Sequence, residues 1–166
     1  MLEIFKVGKH KDNRGVERDY TSAMVDEILE SYDFSNHRAP ILATHNENQP
    51  NKGLIAGLKR IGDRLFGIPY QVVTDFKESV AKGEWPAISP RLYHPDDPSN
   101  PRPGKWGLRH VAFVQIPAIK GMAMPEFSEH PDWDVEFCFS EISFGGWMDG
   151  AIASAFRAIR DYIIEK

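Results

Sequence analysis

The stretch Trp85–Gly121, WPAISPRLYHPDDPSNPRPGKWGLRHVAFVQIPAIKG, constrains the fold of this chain more than any other. Six of the chain's twelve prolines lie between Pro86 and Pro103. Proline fixes its own φ and carries no amide donor, so this segment cannot join helices or donate to a sheet ladder. It reads as a long surface excursion tied down at both ends, by a short strand carrying Ser89 and by a second strand carrying His110. The second strand runs into the corner Pro117-Ala118.

The remainder is organised around this pair of strands. Leu2 to Val7 suggest an opening strand, and the polar turn Lys11-Asp12-Asn13-Arg14-Gly15 returns the chain toward Tyr20 as a hairpin. Thr21 or Ser22 caps a helix from about Ser22 to Tyr32, with Asp26 and Glu27 in its first turn and Met24, Val25, Ile28, Leu29 and Tyr32 on one buried face. A short apolar strand from Ile41 delivers His45 at its end. GLIAGLKRI and RLFGIPYQ, joined by Gly62-Asp63, carry the best hairpin signal in the chain. Thr74 caps a short helix with Phe76 and Val80 inward and Gly83 at its C-terminus.

Beyond the Pro-Ala corner, residues 126–144 read as an acidic linker that includes a possible strand, VEFCFSEIS. Residues 145–166 read as an amphipathic helix, because Met148, Ile152, Phe156, Ile159 and Ile163 step by helical intervals. Strands dominate residues 1–125, and the two helices sit between them without strict alternation. The expected fold is a β-rich α+β domain, a mixed or antiparallel sheet closing into a barrel with helices outside.

Composition narrows the function. The chain has 166 residues and a net charge of -4, with its basic residues scattered, so nucleic acid is not an expected partner. One cysteine, Cys138, leaves no internal disulfide and no Cys-x-x-Cys ribbon, as expected of a reducing, cytosolic compartment. No stretch approaches the run of about eighteen apolar residues that spans a membrane, and the N-terminus lacks a secretory h-region. A soluble protein is expected. No Gly-rich phosphate loop follows a strand, and no His-x-x-x-His spacing appears; His94-Pro95-Asp96-Asp97 reads as a turn. Neither cofactor nor metal is implied.

One constellation could carry chemistry. A serine hydroxyl becomes a nucleophile at neutral pH when an imidazole takes its proton and a third group holds that imidazole in one tautomer. Ser89, His45 and His110 each lie on or at the end of a strand, the rigid placement such geometry needs. Other readings exist for each. Ser89 fits a small residue in a half-buried strand, His110 a satisfied core histidine, and His45 a surface loop residue.

The motif around His45 (Ala39-Pro40-x-Leu42-x-x-His45), the glycine-punctuated hairpin with its downstream helix and Gly83-Glu84-Trp85, and the phrase ISPRLYHPDDPSNPRPGKWGLRHVAFVQIPAIKG together resemble the Mu-like prophage proteases, the head-maturation proteases of tailed phages. More broadly, the chain is similar to prohead proteases that share a fold with the herpesvirus assemblins. The resemblance covers residues 1 to about 125 closely and continues more loosely into the C-terminal helix. It implies Ser89 as nucleophile, His45 as general base and His110 as third member, in a Ser-His-His serine endopeptidase acting on scaffold and capsid proteins inside the assembling prohead, in the host cytoplasm. A non-catalytic scaffold module of the phage head with the same barrel is the alternative. The C-terminal helix would lead toward a scaffold region or pair protomers into a homo-oligomer. Relatives commonly carry Gly-His-Pro where this chain has Thr44-His45-Asn46. A neutral third histidine orients His45 but does not offset an imidazolium charge as a carboxylate would, so modest catalysis is expected. Pro90 has no N–H and cannot supply an oxyanion-hole amide. By analogy with the assemblins, the backbone at Ile119, Lys120 and Gly121 is the expected donor.

Overall fold

The computed structural model describes residues 1–11 and 15–127. The expected linker beyond Phe127, its possible strand and the helix 145–166 lie outside the described residues, as does any pairing of protomers through that helix. Among the described residues, eight strands and two helices follow in the order β1 (Leu2–Lys6), β2 (Gly8–Lys11), β3 (Glu17–Tyr20), α1 (Ser22–Ser31), β4 (Pro40–Ala43), β5 (Gly53–Ile61), β6 (Arg64–Tyr70), α2 (Thr74–Ala81), β7 (Ala87–Tyr93) and β8 (Gly107–Val114).

Six strands form one mixed sheet in the order β1-β6-β5-β4-β8-β7, and β2 and β3 form a separate ribbon. Every pairing is antiparallel except that of β4 with β8. The outer strands β1 and β7 approach one another without pairing, so the sheet curls into a nearly closed barrel, short of the full closure expected from the sequence. Leu2, Ile4, Ile41, Ile55, Leu65 and Val111 are almost wholly buried and make up much of the filling. Burial of such side chains contributes about 1.5–3 kcal/mol each.

Local chemistry explains most of the elements. Ile61 pairs with Arg64 across the two-residue turn Gly62-Asp63, where Gly62 adopts φ 61 as the first central residue of a type II′ turn requires. Thr21 caps α1 through its hydroxyl, which accepts from the amide of Met24, and Val25 and Ile28 face the core. In α2, Phe76 and Val80 are buried, with the Phe76 ring 5.0 Å from that of Phe113. Gly83 follows at φ 79, its amide donating to the carbonyl of Val80.

Three local expectations are corrected. The opening strand does not form the first hairpin: it stops at Lys6 and pairs with β6, while β2 begins anew at Gly8, φ 138, after a bend at Val7, and makes the hairpin with β3. Thr74 is the first residue of α2 rather than its cap; Val73 holds that place and offers no side-chain acceptor. Asp26 and Glu27 lie beyond the first turn of α1, where they bond side chains and backbone of other elements instead of free helical amides: Asp26 pairs with Arg60, and Glu27 accepts from Lys105 and the amide of Trp106.

The proline-rich excursion between β7 and β8 is built around Asn100, which is buried. Its side-chain amide donates to the carbonyls of His94 (3.0 Å) and Lys105 (2.7 Å), and its oxygen accepts from the amide of Arg102 (2.9 Å). Arg102 and Lys105 also pair with Asp33 and Glu27, fastening the excursion to α1 and the residues after it.

Candidate active site

Strands β7 and β8 set Ser89 and His110 on a common face. Ser89 lies opposite Ala112 and Arg91 opposite His110. Directly paired residues project to the same side of a sheet, and so do residues two apart on one strand. Ser89, Arg91, His110 and Ala112 therefore share that side. Ser89 is 7% exposed and His110 is fully buried, whereas Arg91 is exposed.

His45 arrives from the other side of β8. Strand β4 runs parallel to β8 and ends with Ala43 beside Phe113. One more ladder bond forms, from the amide of Thr44 to the carbonyl of Phe113 at 3.0 Å. Thr44 itself adopts φ 70, a left-handed conformation uncommon for a β-branched residue. The chain leaves the strand there, and the next side chain is the imidazole of His45.

The three side chains meet. His45 Nε2 is 3.1 Å from Ser89 Oγ, and His45 Nδ1 is 2.8 Å from His110 Nε2. The chain continues one step further: His110 Nδ1 is 2.8 Å from Glu47 Oε1, and Glu47 is held by Arg109 through Nε and Nη2, each at 2.7 Å. A carboxylate only accepts, so the series has a direction. His110 donates from Nδ1 to Glu47, and its Nε2 accepts from the Nδ1–H of His45. The lone pair on His45 Nε2 then faces the Ser89 hydroxyl, the arrangement in which an imidazole removes a proton.

Electrostatics favour the same protonation states. Burial pushes His110 down to about 4, against the hydrogen bond to Glu47, and burial followed by the positive charge of Arg91 lowers His45 below its ordinary 6.5. Both rings are neutral at neutral pH. Glu47 is held down to about 2, chiefly by Arg109, and stays ionised. His110 is fully buried with both ring nitrogens bonded, and no buried side-chain nitrogen or oxygen among the described residues lacks a partner. An imidazole with an unmet polar atom in such a place would cost about 1–3 kcal/mol.

Ser89, His45 and His110 are thus brought together, while Ile119, Lys120 and Gly121 occupy a turn of their own. Ile119 is packed into the core, Gly121 adopts φ 76, and no hydrogen bond among the described residues joins this turn to the trio. Arg91, beside His110, forms no ion pair among the described residues.

Glu47 and Arg109 were not singled out from the sequence. Their signal was present as His45-Asn46-Glu47 and Arg109-His110, two short pairings of a histidine with a charge. The parallel pairing of β4 with β8 brings those pairs toward one another.

Among the described residues no group of three or more His, Cys, Asp or Glu side chains is arranged to hold a metal ion. No family model, curated protein or solved structure matches the chain.

Proposed function

We propose that this chain is a serine endopeptidase with a Ser-His-His centre. The observation that carries the reading is the unbroken hydrogen-bond series from Ser89 Oγ through His45 to His110, at 3.1 and 2.8 Å. Ser89 Oγ attacks the carbonyl carbon of a peptide bond as its proton passes to His45 Nε2. Collapse of the tetrahedral intermediate breaks the C–N bond, and His45 returns the proton to the departing amine. Water, deprotonated by the same nitrogen, then releases the acyl group from Ser89. No step needs a cofactor.

Pro90 supplies no amide to the developing oxyanion, so the donors are assigned to the backbone of Ile119, Lys120 and Gly121. The resemblance of Trp85–Gly121 to the Mu-like prophage proteases makes phage scaffold and capsid proteins the proposed substrates, cut inside the assembling prohead. It also supports an assemblin-like identity for the barrel.

A serine-directed phosphonate tests the reading. Wild-type protein is expected to label at Ser89, His45→Ala to lose that labelling, and Ser89→Ala to remain folded yet leave co-expressed scaffold protein intact. A wild-type serine no more reactive than that of His45→Ala returns the barrel to a purely architectural role in the head.

A further inference from the structure

Arg109 and His110 are neighbours in sequence, and neighbours on a regular strand point to opposite faces. Here both hold one carboxylate. Arg109 Nε and His110 Nδ1 reach the same oxygen, Glu47 Oε1, at 2.7 and 2.8 Å. The strand register explains how. Arg91 pairs with His110 and Leu92 with Leu108, so β8 advances two residues while β7 advances one. Arg109 is the extra residue of a β-bulge, a device that re-aims side chains where it occurs.

The grip on Glu47 is firm. The carboxylate takes both 2.7 Å bonds from one guanidinium, the two-pronged geometry that arginine offers and lysine cannot. Arg109 is fixed in turn by the hydroxyl of Ser99 at 3.3 Å, by Asp97 at 3.8 Å and by the ring of Tyr93, whose centroid lies 5.3 Å away. Glu47 belongs to the loop that carries His45, so the ion pair also latches that loop to β8.

We infer that Glu47, held by Arg109, is the charge-bearing positioning residue of this site and acts on His45 through His110. The inference rests on the protease reading for its catalytic consequence, although its electrostatic content stands apart. Two neutral imidazoles in series orient one another but carry no charge to balance an imidazolium on His45. A carboxylate on His110 Nδ1–H polarises that ring and strengthens Nε2 as an acceptor for the His45 proton. The other charged and titratable groups facing this series are Arg91 and Tyr93 from β7 and Asp97 from the excursion, and Arg91 opposes protonation of both rings. Glu47 supplies the compensating charge.

Glu47→Gln keeps the size of the side chain and an oxygen for His110 while removing the charge. Two measurements on the full chain decide the matter: the rate of phosphonate labelling at Ser89 across pH, and the NMR titration of the His45 ring. Labelling is expected to slow roughly ten- to a hundredfold, the range for losing a hydrogen bond to a charged group. The His45 ring is expected to titrate at lower pH, and Glu47→Asp to recover part of both. A Glu47→Gln protein with wild-type labelling and an unmoved His45 titration overturns the inference. If the variant does not fold, Arg109→Gln, which releases the clamp on Glu47, replaces it with the labelling rate as the readout: a smaller slowing supports the inference and no change overturns it. Should wild-type Ser89 prove unreactive, the protease reading fails on that result alone. The His45 titration then still decides whether Glu47 acts through His110.

Discussion

The amide of Thr44 donates to the carbonyl of Phe113 across 3.0 Å, and Thr44 holds φ 70 at the residue immediately before His45. The last bond of the β4–β8 ladder and the turn that releases His45 from the strand thus fall on one residue.

Relief of that backbone is measurable. A left-handed conformation costs a side-chain-bearing residue about 1–2 kcal/mol, and glycine's extra freedom in the unfolded chain takes back about 0.5–1. The hydroxyl of Thr44 accepts only a long 3.4 Å bond from Asn46, a small loss. Thr44→Gly is therefore expected to stabilise the protein by about 0.5–1 kcal/mol, a rise of about 1–4 °C in melting temperature by calorimetry.

Arg91 holds His45 down by its charge, with burial the larger cause. Arg91→Gln is expected to move the His45 titration upward toward 6.5, and the acid limb of Ser89 labelling with it. Ring NMR and the pH dependence of labelling should shift together. An unmoved titration would show that Arg91 exerts no field at this ring.

His110 ties stability to pH. Its folded value, about 4, lies below the ordinary 6.5, so as pH falls the unfolded chain takes the proton first. The stabilisation is fully present above about 6.5 and is lost as pH falls through about 4. Glu47, held near 2 against an ordinary 4.5, extends the loss to more acid solution. Melting temperature is expected to decline across both windows. His110→Gln should flatten the upper window and leave much of the lower, because Arg109 is the main cause of the Glu47 shift.

Asn100→Ala removes three bonds to backbone groups inside the proline-rich excursion. The expected cost is about 2–3 kcal/mol, read from chemical denaturation. Folded protein should still label at Ser89, since Asn100 bonds to none of Ser89, His45 and His110.

Much of the scaffold was legible because its signals are local. The Gly62-Asp63 hairpin, the Thr21 cap and the inward residues of α2 each depend on a few adjacent side chains. The failures were of two kinds. Thr74 has the right chemistry for a cap but sits one position too late, and Leu2–Val7 has a strand's pattern but a partner, β6, that no nearby turn announces. Ser89 and His110 were visible as residues on strands, and His45 as a residue at a strand end, within a resembled motif, whereas Glu47 was hidden among the polar residues of a loop. Its importance is created by two non-local facts, the parallel neighbour of β4 and the extra residue in β8, and neither leaves a mark in hydrophobic periodicity.

Pro90 has a second consequence, for association between molecules. Strand β7 is an outermost strand, and such a margin invites a strand from another copy to zip alongside it. A proline one residue past Ser89 leaves a gap in that row of donors, so the edge strand that carries Ser89 resists fibril-like stacking.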